Sequence, residues 1–212
     1  MDLRSYLSLR ESYRAGVRRE LRMLYKVNEI FYSIQGEGYW SGKPSIFIRL
    51  AGCNLNCEWC DTNHTMTEEL RVSQIITRIS ALIDPMIKQK PHIVITGGEP
   101  TIQNLQPLTK ALQCEDFFMC LETNGTHEVH GFFDWVTVSP KENGMNSIRC
   151  ADELKVVMDG VLDPLSFLSA LRTDAWLYVQ PCSENFEPAI NFVKENPEWR
   201  LSLQTQKMVN IR

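Results

Sequence analysis

Three cysteines lie within eight residues, in the segment Cys53-Asn-Leu-Asn-Cys57-Glu-Trp-Cys60. An apolar, β-branched run precedes them, so we expect a loop at the end of a strand. Three thiolates at this spacing on a tight loop can bind three corners of one small inorganic cluster. A [4Fe–4S] cluster held by only three cysteines leaves one iron open for a substrate or cofactor.

Structural zinc is the alternative use of this loop. A zinc site normally takes four protein ligands, or three and a water, usually from two separated pairs. The chain offers no second cysteine pair here, although His64 is close. The other four cysteines are scattered singly, as packing residues often are, at Cys114, Cys120, Cys150 and Cys182. The spacing favours the open-iron cluster, and a zinc-binding interaction module remains the non-enzyme alternative.

A second motif, Gly97-Gly98-Glu99-Pro100, also follows an apolar run. Glycines let the backbone approach a ligand closely, and a carboxylate can pair with an ammonium group. Alone, this motif is equally compatible with a turn. Together with the cysteine loop, it indicates a cofactor site.

Six runs rich in Ile, Val, Leu and Phe predict buried strands. The runs are Ser45–Leu50, Ile93–Thr96, Phe117–Glu122, Trp135–Ser139, Leu154–Met158 and Trp176–Gln180. Helices are predicted along Val72–Ile83, along Leu105–Leu112, and from Pro188 to just before Pro197. This alternation is typical of an α/β fold with a parallel sheet or barrel. The intervals 122–135 and 139–154 are too polar and broken for crossover helices. We therefore expect an incomplete, partial TIM-like barrel of about six parallel strands with few helices.

Polar or glycine-rich groups end almost every predicted strand. They are Gly97-Gly98-Glu99, Glu122-Thr-Asn-Gly125, Ser139-Pro140-Lys141 and Gln180-Pro181. In parallel α/β folds the carboxyl ends of the strands form the active face. The chemistry should therefore gather on one rim.

The composition is that of an ordinary globular protein, with 43% hydrophobic and 23% charged residues among 212. The apolar runs are too short to span a bilayer, and a net charge of −4 does not favour nucleic-acid binding. Residues 1–22 hold six arginines and no apolar core of signal-peptide length. We predict that 1–22 is a disordered extension or an upstream start, and that 23–212 is one cytoplasmic domain.

The spacing Cys-x3-Cys-x2-Cys, with Trp59 before the last cysteine and the Gly97 motif, resembles the radical S-adenosylmethionine (radical SAM) superfamily. Within it, four further segments resemble the 7-carboxy-7-deazaguanine synthase family of queuosine biosynthesis. They are Phe31-Tyr-Ser-Ile-Gln-Gly-Glu-Gly38, Ile46–Leu50, Cys60-Asp-Thr62 and Leu201–Arg212. The resemblance runs from about Met23 to the last residue.

This resemblance implies a radical SAM lyase that is Mg2+-dependent. Its substrate would be 6-carboxy-5,6,7,8-tetrahydropterin, and ring contraction would give 7-carboxy-7-deazaguanine with loss of ammonia. The implied cofactors are a [4Fe–4S] cluster, S-adenosylmethionine and Mg2+. The implied partners are an electron donor such as flavodoxin or ferredoxin and a second copy of the chain, with no nucleic acid and no membrane.

The resemblance also assigns residues. Cys53, Cys57 and Cys60 would bind the cluster, and Thr62 the magnesium ion. Cofactor contacts fall on Gly98, Glu99, Ser139, Pro140, Lys141 and Gln180. Substrate contacts fall on Ile34, Gln35, Gly36, Arg49, Thr96 and the terminal carboxylate of Arg212. Gln206 stands where relatives have histidine. Glu153 and Lys155 share one face of a strand, and could pair with each other or reach substrate.

The alternative enzyme is a small radical SAM activase that acts on a partner protein. It would share the three cysteines and the Gly97 loop. It would not share the segment Gln35-Gly-Glu-Gly38 or the ending Leu201–Arg212, and it would need a protein-docking surface in place of a pterin pocket.

Overall fold

Alternating side chains divide the central sheet into an apolar face and a polar face. On the strand Glu153–Met158, Leu154 and Val156 lie in an apolar core, whereas Glu153 and Lys155 project from the other side. The computed structural model describes residues 23–141, 150–171, 174–183 and 185–211. The predicted extension 1–22 lies outside these residues.

The described residues form nine strands in a single sheet, in the order β3-β1-β2-β4-β5-β6-β7-β8-β9. They are β1 (Leu24–Ile34), β2 (Pro44–Leu50), β3 (Glu68–Arg71), β4 (His92–Gly97), β5 (Met119–Thr123), β6 (Trp135–Val138), β7 (Glu153–Met158), β8 (Trp176–Pro181) and β9 (Trp199–Leu201). Strand β1 pairs antiparallel with β2 and β3, and the ladder from β2 to β9 is parallel. In the described part of the chain, β3 and β9 are the two edges. The predicted incomplete α/β barrel is confirmed.

All six predicted strands are present, and their ends agree with the prediction within two residues. Strands β1, β3 and β9 were not predicted. Strand β1 carries the bulge between Val27 and Glu29, which interrupts its alternation, and β9 has only three residues. Among the residues that the structure describes, the parallel set therefore has seven strands, against the expected number of about six.

The three predicted helices cover the apolar face of the sheet. They are α1 (Val72–Leu82), α2 (Gln106–Cys114) and α3 (Glu187–Glu195), and a short fourth helix is α4 (Thr205–Met208). Helices α1 and α2 pack over β1, β2, β4 and β5, and α3 packs over β8 and β9. No helix lies between residues 123 and 135, as predicted, whereas residues 142–149 lie outside the described part.

The loop between β1 and β2 covers the amino ends of the parallel strands. The ring of Tyr39 stacks on Trp135 at 4.8 Å, and the ring of Trp40 meets His92 edge-on at 4.9 Å. Trp135 begins β6 and His92 begins β4. The carboxyl ends of the strands are left to border a cavity. Among the described residues, no helix combines the length and apolarity needed to cross a membrane.

Candidate active site

One cavity of about 540 Å³ lies at the carboxyl ends of the parallel strands and brings most of the predicted site residues together. Those that line it are Ile34, Gln35, Gly36, Arg49, Cys53, Cys57, Cys60, Thr62, Thr96, Gly98, Ser139, Lys141 and Gln180. Glu99 and Pro140 do not line it, and Arg212 lies outside the described residues. The expectation that strand ends gather on one rim is met by this cavity.

The three cysteines lie on the segment 51–67, which contains no helix or strand. The amide of Cys60 donates to the carbonyl of Cys57 at 3.1 Å and closes a four-residue turn. All three thiols are free, with Cys60 the most exposed. Within the described residues, no three His, Cys, Asp or Glu side chains form a group that could hold a metal ion. The thiols therefore border the cavity separately, from a single loop.

A half-buried lysine, Lys141, lies beside these thiols. Nζ of Lys141 donates to Oγ of Ser139 at 2.7 Å and lies 4.9 Å from the centre of the Trp59 ring. Burial, and to a smaller extent the Lys155 ammonium, lower the pKa of Lys141 to about 8. Burial raises the pKa of the Cys57 thiol, and the Lys141 charge opposes that shift. The lysine therefore favours the thiolate that an iron ligand requires.

Gly97, the last residue of β4, and Gly98, which follows it, allow two backbones to touch. A Cβ on Gly98 would lie 2.3 Å from the carbonyl oxygen of Gly52 and 2.7 Å from Cβ of Cys53. A Cβ on Gly97 would lie 2.2 Å from the carbonyl oxygen of Leu50. Larger residues would push the cysteine loop away. The absence of side chains at these glycines therefore lets the cysteine loop pack directly against the end of β4.

The carboxylate of Glu99 points away from the cavity and is fully buried. Its Oε1 accepts hydrogen bonds from the amide and hydroxyl of Thr101 and from the hydroxyl of Thr123. Its Oε2 accepts from the amide of Asn124 at 2.6 Å. Through these four hydrogen bonds, the carboxylate joins the Gly97 loop to the end of β5. The cofactor contact predicted for Glu99 is not visible in this arrangement.

Polar side chains cover the floor of the cavity. Nε of Arg49 donates to Oε1 of Glu29 at 2.8 Å. Nε2 of Gln35 and Oγ1 of Thr96 donate to the two carboxylate oxygens of Glu122, at 2.8 and 3.2 Å. Glu122 was not among the predicted site residues, although its strand-end motif was noted. This layer can orient a polar ring compound.

Lys155 forms an ion pair with Glu37, with Nζ 2.5 Å from Oε2. The neighbouring Glu153 accepts a hydrogen bond from the amide of Tyr39 at 2.9 Å. Both strand residues project to the polar face, as their spacing predicted, but the lysine bridges to the loop after β1. Burial alone would raise the pKa of Glu37, but Lys155 and two glutamines lower it to about 2.

The segment after β9 forms one wall of the cavity. Nε2 of Gln204 and Nε2 of Gln206 donate to Oε1 of Glu37 at 2.9 and 3.1 Å, and Lys207 pairs with Asp61. Oε1 of Gln206 is buried, has no hydrogen-bond partner within the described residues, and packs against Gly36. Apart from Gln206, these tail contacts were missed, because only the resemblance of the ending Leu201–Arg212 signalled them.

The comparisons with known proteins agree with this site. The profile of the Radical SAM superfamily matches residues 47–135, which include the cysteine loop and the Gly97 motif. The 7-carboxy-7-deazaguanine synthase of Bacteroides thetaiotaomicron is 40% identical over 191 residues, which cover 90% of this chain and all of that protein. The synthase of the same name from Escherichia coli K12 is 38% identical over 223 residues, covering 89% of this chain and all of that protein.

The fold agrees as well. The crystal structure of QueE from Escherichia coli superposes with a TM-score of 0.74 at 32% identity, covering 89% of this chain and 97% of that one. Sequence, fold and site thus lead to the same group of enzymes. The chain belongs to the 7-carboxy-7-deazaguanine synthase family of radical SAM lyases.

Proposed function

We propose that this enzyme converts 6-carboxy-5,6,7,8-tetrahydropterin to 7-carboxy-7-deazaguanine with loss of ammonia, in a Mg2+-dependent reaction of queuosine biosynthesis in the cytoplasm. One observation carries the proposal: the three cysteines and Arg49 line the same cavity. Its volume of about 540 Å³ lies within the range of small-molecule sites. The relatives named above support the choice of product.

The cysteine loop offers three thiols to a cluster from one side of the cavity. Cys53, Cys57 and Cys60 would hold it, because all three line one cavity, and the Lys141 charge opposes the rise in the pKa of the Cys57 thiol. Gly98 leaves room where a Cβ would collide with Gly52 and Cys53 of the cysteine loop. When bound, a three-cysteine cluster supplies an electron to S-adenosylmethionine at its open iron, which starts radical chemistry on the substrate.

The strand ends would bind S-adenosylmethionine. Gly98 offers backbone at the cavity wall, and the Lys141 ammonium can pair with the carboxylate of the cofactor. Pro140 fixes the backbone between Ser139 and Lys141. Gln180 lines the cavity and accepts a hydrogen bond from Ser202 at 3.1 Å. Glu99 would act through the loop that it holds in place.

Arg49 would bind the carboxylate of the pterin. Glu29 holds its Nε, and no hydrogen bond within the described residues occupies the two terminal nitrogens. Those nitrogens can form the two parallel bonds that a carboxylate accepts. Ile34, Gln35, Gly36 and Thr96 would contact the ring, and the terminal carboxylate of Arg212 the amine.

Thr62 would contribute its hydroxyl to Mg2+. Magnesium keeps several waters and takes few protein oxygens, with the rest from substrate. Thr62 lines the cavity next to Asp61, which Lys207 and Gln204 hold in place. The proposal also includes two partners. One is an electron donor such as flavodoxin or ferredoxin, and the other is a second copy of the chain in a homodimer.

The test is an anaerobic reaction. The chain is reconstituted with iron and sulfide and mixed with S-adenosylmethionine, dithionite, Mg2+ and the pterin, and the products are measured by mass spectrometry. We expect 7-carboxy-7-deazaguanine together with 5′-deoxyadenosine. If only 5′-deoxyadenosine forms, the proposed substrate is wrong. If a loaded cluster yields neither, the cofactor assignment fails.

Arg49→Ala tests the substrate contact. We expect the variant to bind its cluster and to cleave S-adenosylmethionine without substrate, but to form no product. Arg78→Ala is a matched control, because Arg78 also pairs with a glutamate, Glu68, but outside the cavity. Loss of the cluster in Arg49→Ala would refute the assignment of this residue to substrate.

A further inference from the structure

The loop that carries the cysteines is held by side chains that are not iron ligands. Nδ2 of Asn54 donates to Oγ1 of Thr126 at 2.9 Å, in the segment after β5. Nε1 of Trp59 donates to Oδ2 of Asp159 at 3.1 Å, in the segment after β7. Asp61 pairs with the tail after β9. The loop has no regular secondary structure, so these contacts act together with its few backbone hydrogen bonds to hold its shape.

The Trp59 contact acts on the turn between two thiols. Trp59 is the third residue of the turn that the Cys60 amide closes onto the Cys57 carbonyl. The indole is thus fixed at one edge by Asp159, and its face lies beside the Lys141 ammonium. Because Trp59 belongs to this turn, we expect movement of the indole to alter the turn, and with it the separation of Cys57 and Cys60.

The carboxylate of Asp159 is held in place by hydrogen bonds other than the one to the indole. Its Oδ1 accepts hydrogen bonds from the amides of Val161 and Leu162, at 2.9 and 3.0 Å, within the turn that follows β7. Gly160 allows that turn, with φ of +85°. With Oδ1 engaged, the carboxylate presents Oδ2 to Trp59 as a charged acceptor, which makes a stronger bond than a neutral one.

We propose that Asp159 is a positioning residue of the cluster site. It holds Trp59, and thereby fixes the spacing of the Cys57 and Cys60 thiols before iron binds. The proposal rests on the proposed function, in that these cysteines are taken as the cluster ligands. Asp159 itself does not line the cavity.

Two substitutions should remove the hydrogen bond between Trp59 and Asp159 without unfolding the chain. Asp159→Asn keeps an oxygen for the two turn amides but presents an NH2 group to the indole N–H. Trp59→Phe removes the indole N–H and keeps an aromatic face beside Lys141. Asp163→Asn is the matched control, because Asp163 caps the next turn through the amide of Leu165 at 3.0 Å and lies outside the cavity.

The first measurement uses the full chain without its cluster. Alkylation rates of Cys57 and Cys60 by iodoacetamide are followed by mass spectrometry, with Cys114 as an exposed internal reference. We expect rates that differ from wild type by roughly tenfold or more in Asp159→Asn and Trp59→Phe, as for the loss of one charged hydrogen bond. Asp163→Asn should match wild type.

The second measurement uses the reconstituted enzyme. The lifetime of the cluster against an iron chelator should shorten in both variants, and the electron paramagnetic resonance spectrum of the reduced cluster should shift. The double variant should be no worse than either single one, because both remove the same bond. Additive effects, or wild-type alkylation and cluster lifetime in Asp159→Asn, would overturn the proposal.

These outcomes distinguish a failure of the proposed function from a failure of the proposed role of Asp159. A wild-type chain that binds a cluster but forms no 7-carboxy-7-deazaguanine refutes the proposed function and leaves the role of Asp159 testable. If no cluster binds at all, the alkylation rates still test whether Asp159 controls the turn. A melting temperature equal to that of Asp163→Asn excludes general unfolding as the cause.

Discussion

Nζ of Lys155 lies 2.5 Å from Oε2 of Glu37, so a buried ion pair joins strand β7 to the loop after β1. The same carboxylate accepts hydrogen bonds from Gln204 and Gln206 of the tail. Three segments that are distant in sequence therefore meet at one charged group. Breaking this group should loosen the wall of the cavity as well as destabilise the chain.

Glu37→Gln should lower the free energy of unfolding by about 3 kcal/mol at neutral pH, since it leaves the buried Lys155 without its partner. Because the folded-state pKa of Glu37 is about 2, below its usual value of 4.5, the carboxylate stabilises the fold fully above pH 4.5. The difference between the two proteins should shrink as pH falls from 4.5 to 2. Urea unfolding across this range measures it.

At alkaline pH the difference should persist. Burial alone would lower the pKa of Lys155, but the carboxylates of Glu37, Glu122 and Glu153 raise it. The lysine therefore stays charged above its ordinary pKa, and its contribution is lost only as pH rises through the higher value. Glu68→Gln is the control, because it breaks an exposed pair with Arg78 and should cost under about 1 kcal/mol. Equal costs in both variants would contradict the argument.

Gly98→Ala should remove iron binding while most of the fold survives. The added Cβ would lie 2.3 Å from the carbonyl oxygen of Gly52, so the cysteine loop must move. Such crowding typically costs about 1–3 kcal/mol. Iron and sulfide content after anaerobic reconstitution measures the effect. In Gly42→Ala, the Cβ would meet nothing within 4 Å although φ is +88°, so only strain of about 1 kcal/mol and full iron binding are expected.

The parts of the site that lie within one short sequence motif could be predicted from the sequence. Parallel strands bring their carboxyl ends together, so the Gly97 loop, Ser139 and Gln180 were expected on one rim and line one cavity. The partner of Lys155 was not predictable, because Glu37 lies 118 residues away and no local pattern links the two. The burial of Glu99 was missed for the same reason, since Thr123 and Asn124 become neighbours only through the pairing of β4 with β5.

Cys57→Ala should abolish cluster binding, because two thiols cannot replace three at the corners of one cluster. Absorbance and iron content after reconstitution measure this loss. Cys114→Ala is the matched control, since Cys114 is exposed at the end of α2 and lies outside the cavity. It should bind iron as wild type does. An equal loss in both variants would argue against the cysteine loop as the iron site.

Glu99→Gln distinguishes a structural carboxylate from a cofactor contact. Four donors converge on Glu99, and an amide would turn an NH2 group toward at least one of them. A buried donor facing a donor should cost about 1–3 kcal/mol in the chain without cofactor. Urea unfolding of that form measures the cost, with the exposed Glu195→Gln as control. If Glu99 instead bound the ammonium of S-adenosylmethionine, the variant would keep its stability and lose only cofactor affinity. We expect the loss of stability, because the carboxylate has no exposed surface through which to reach the cofactor.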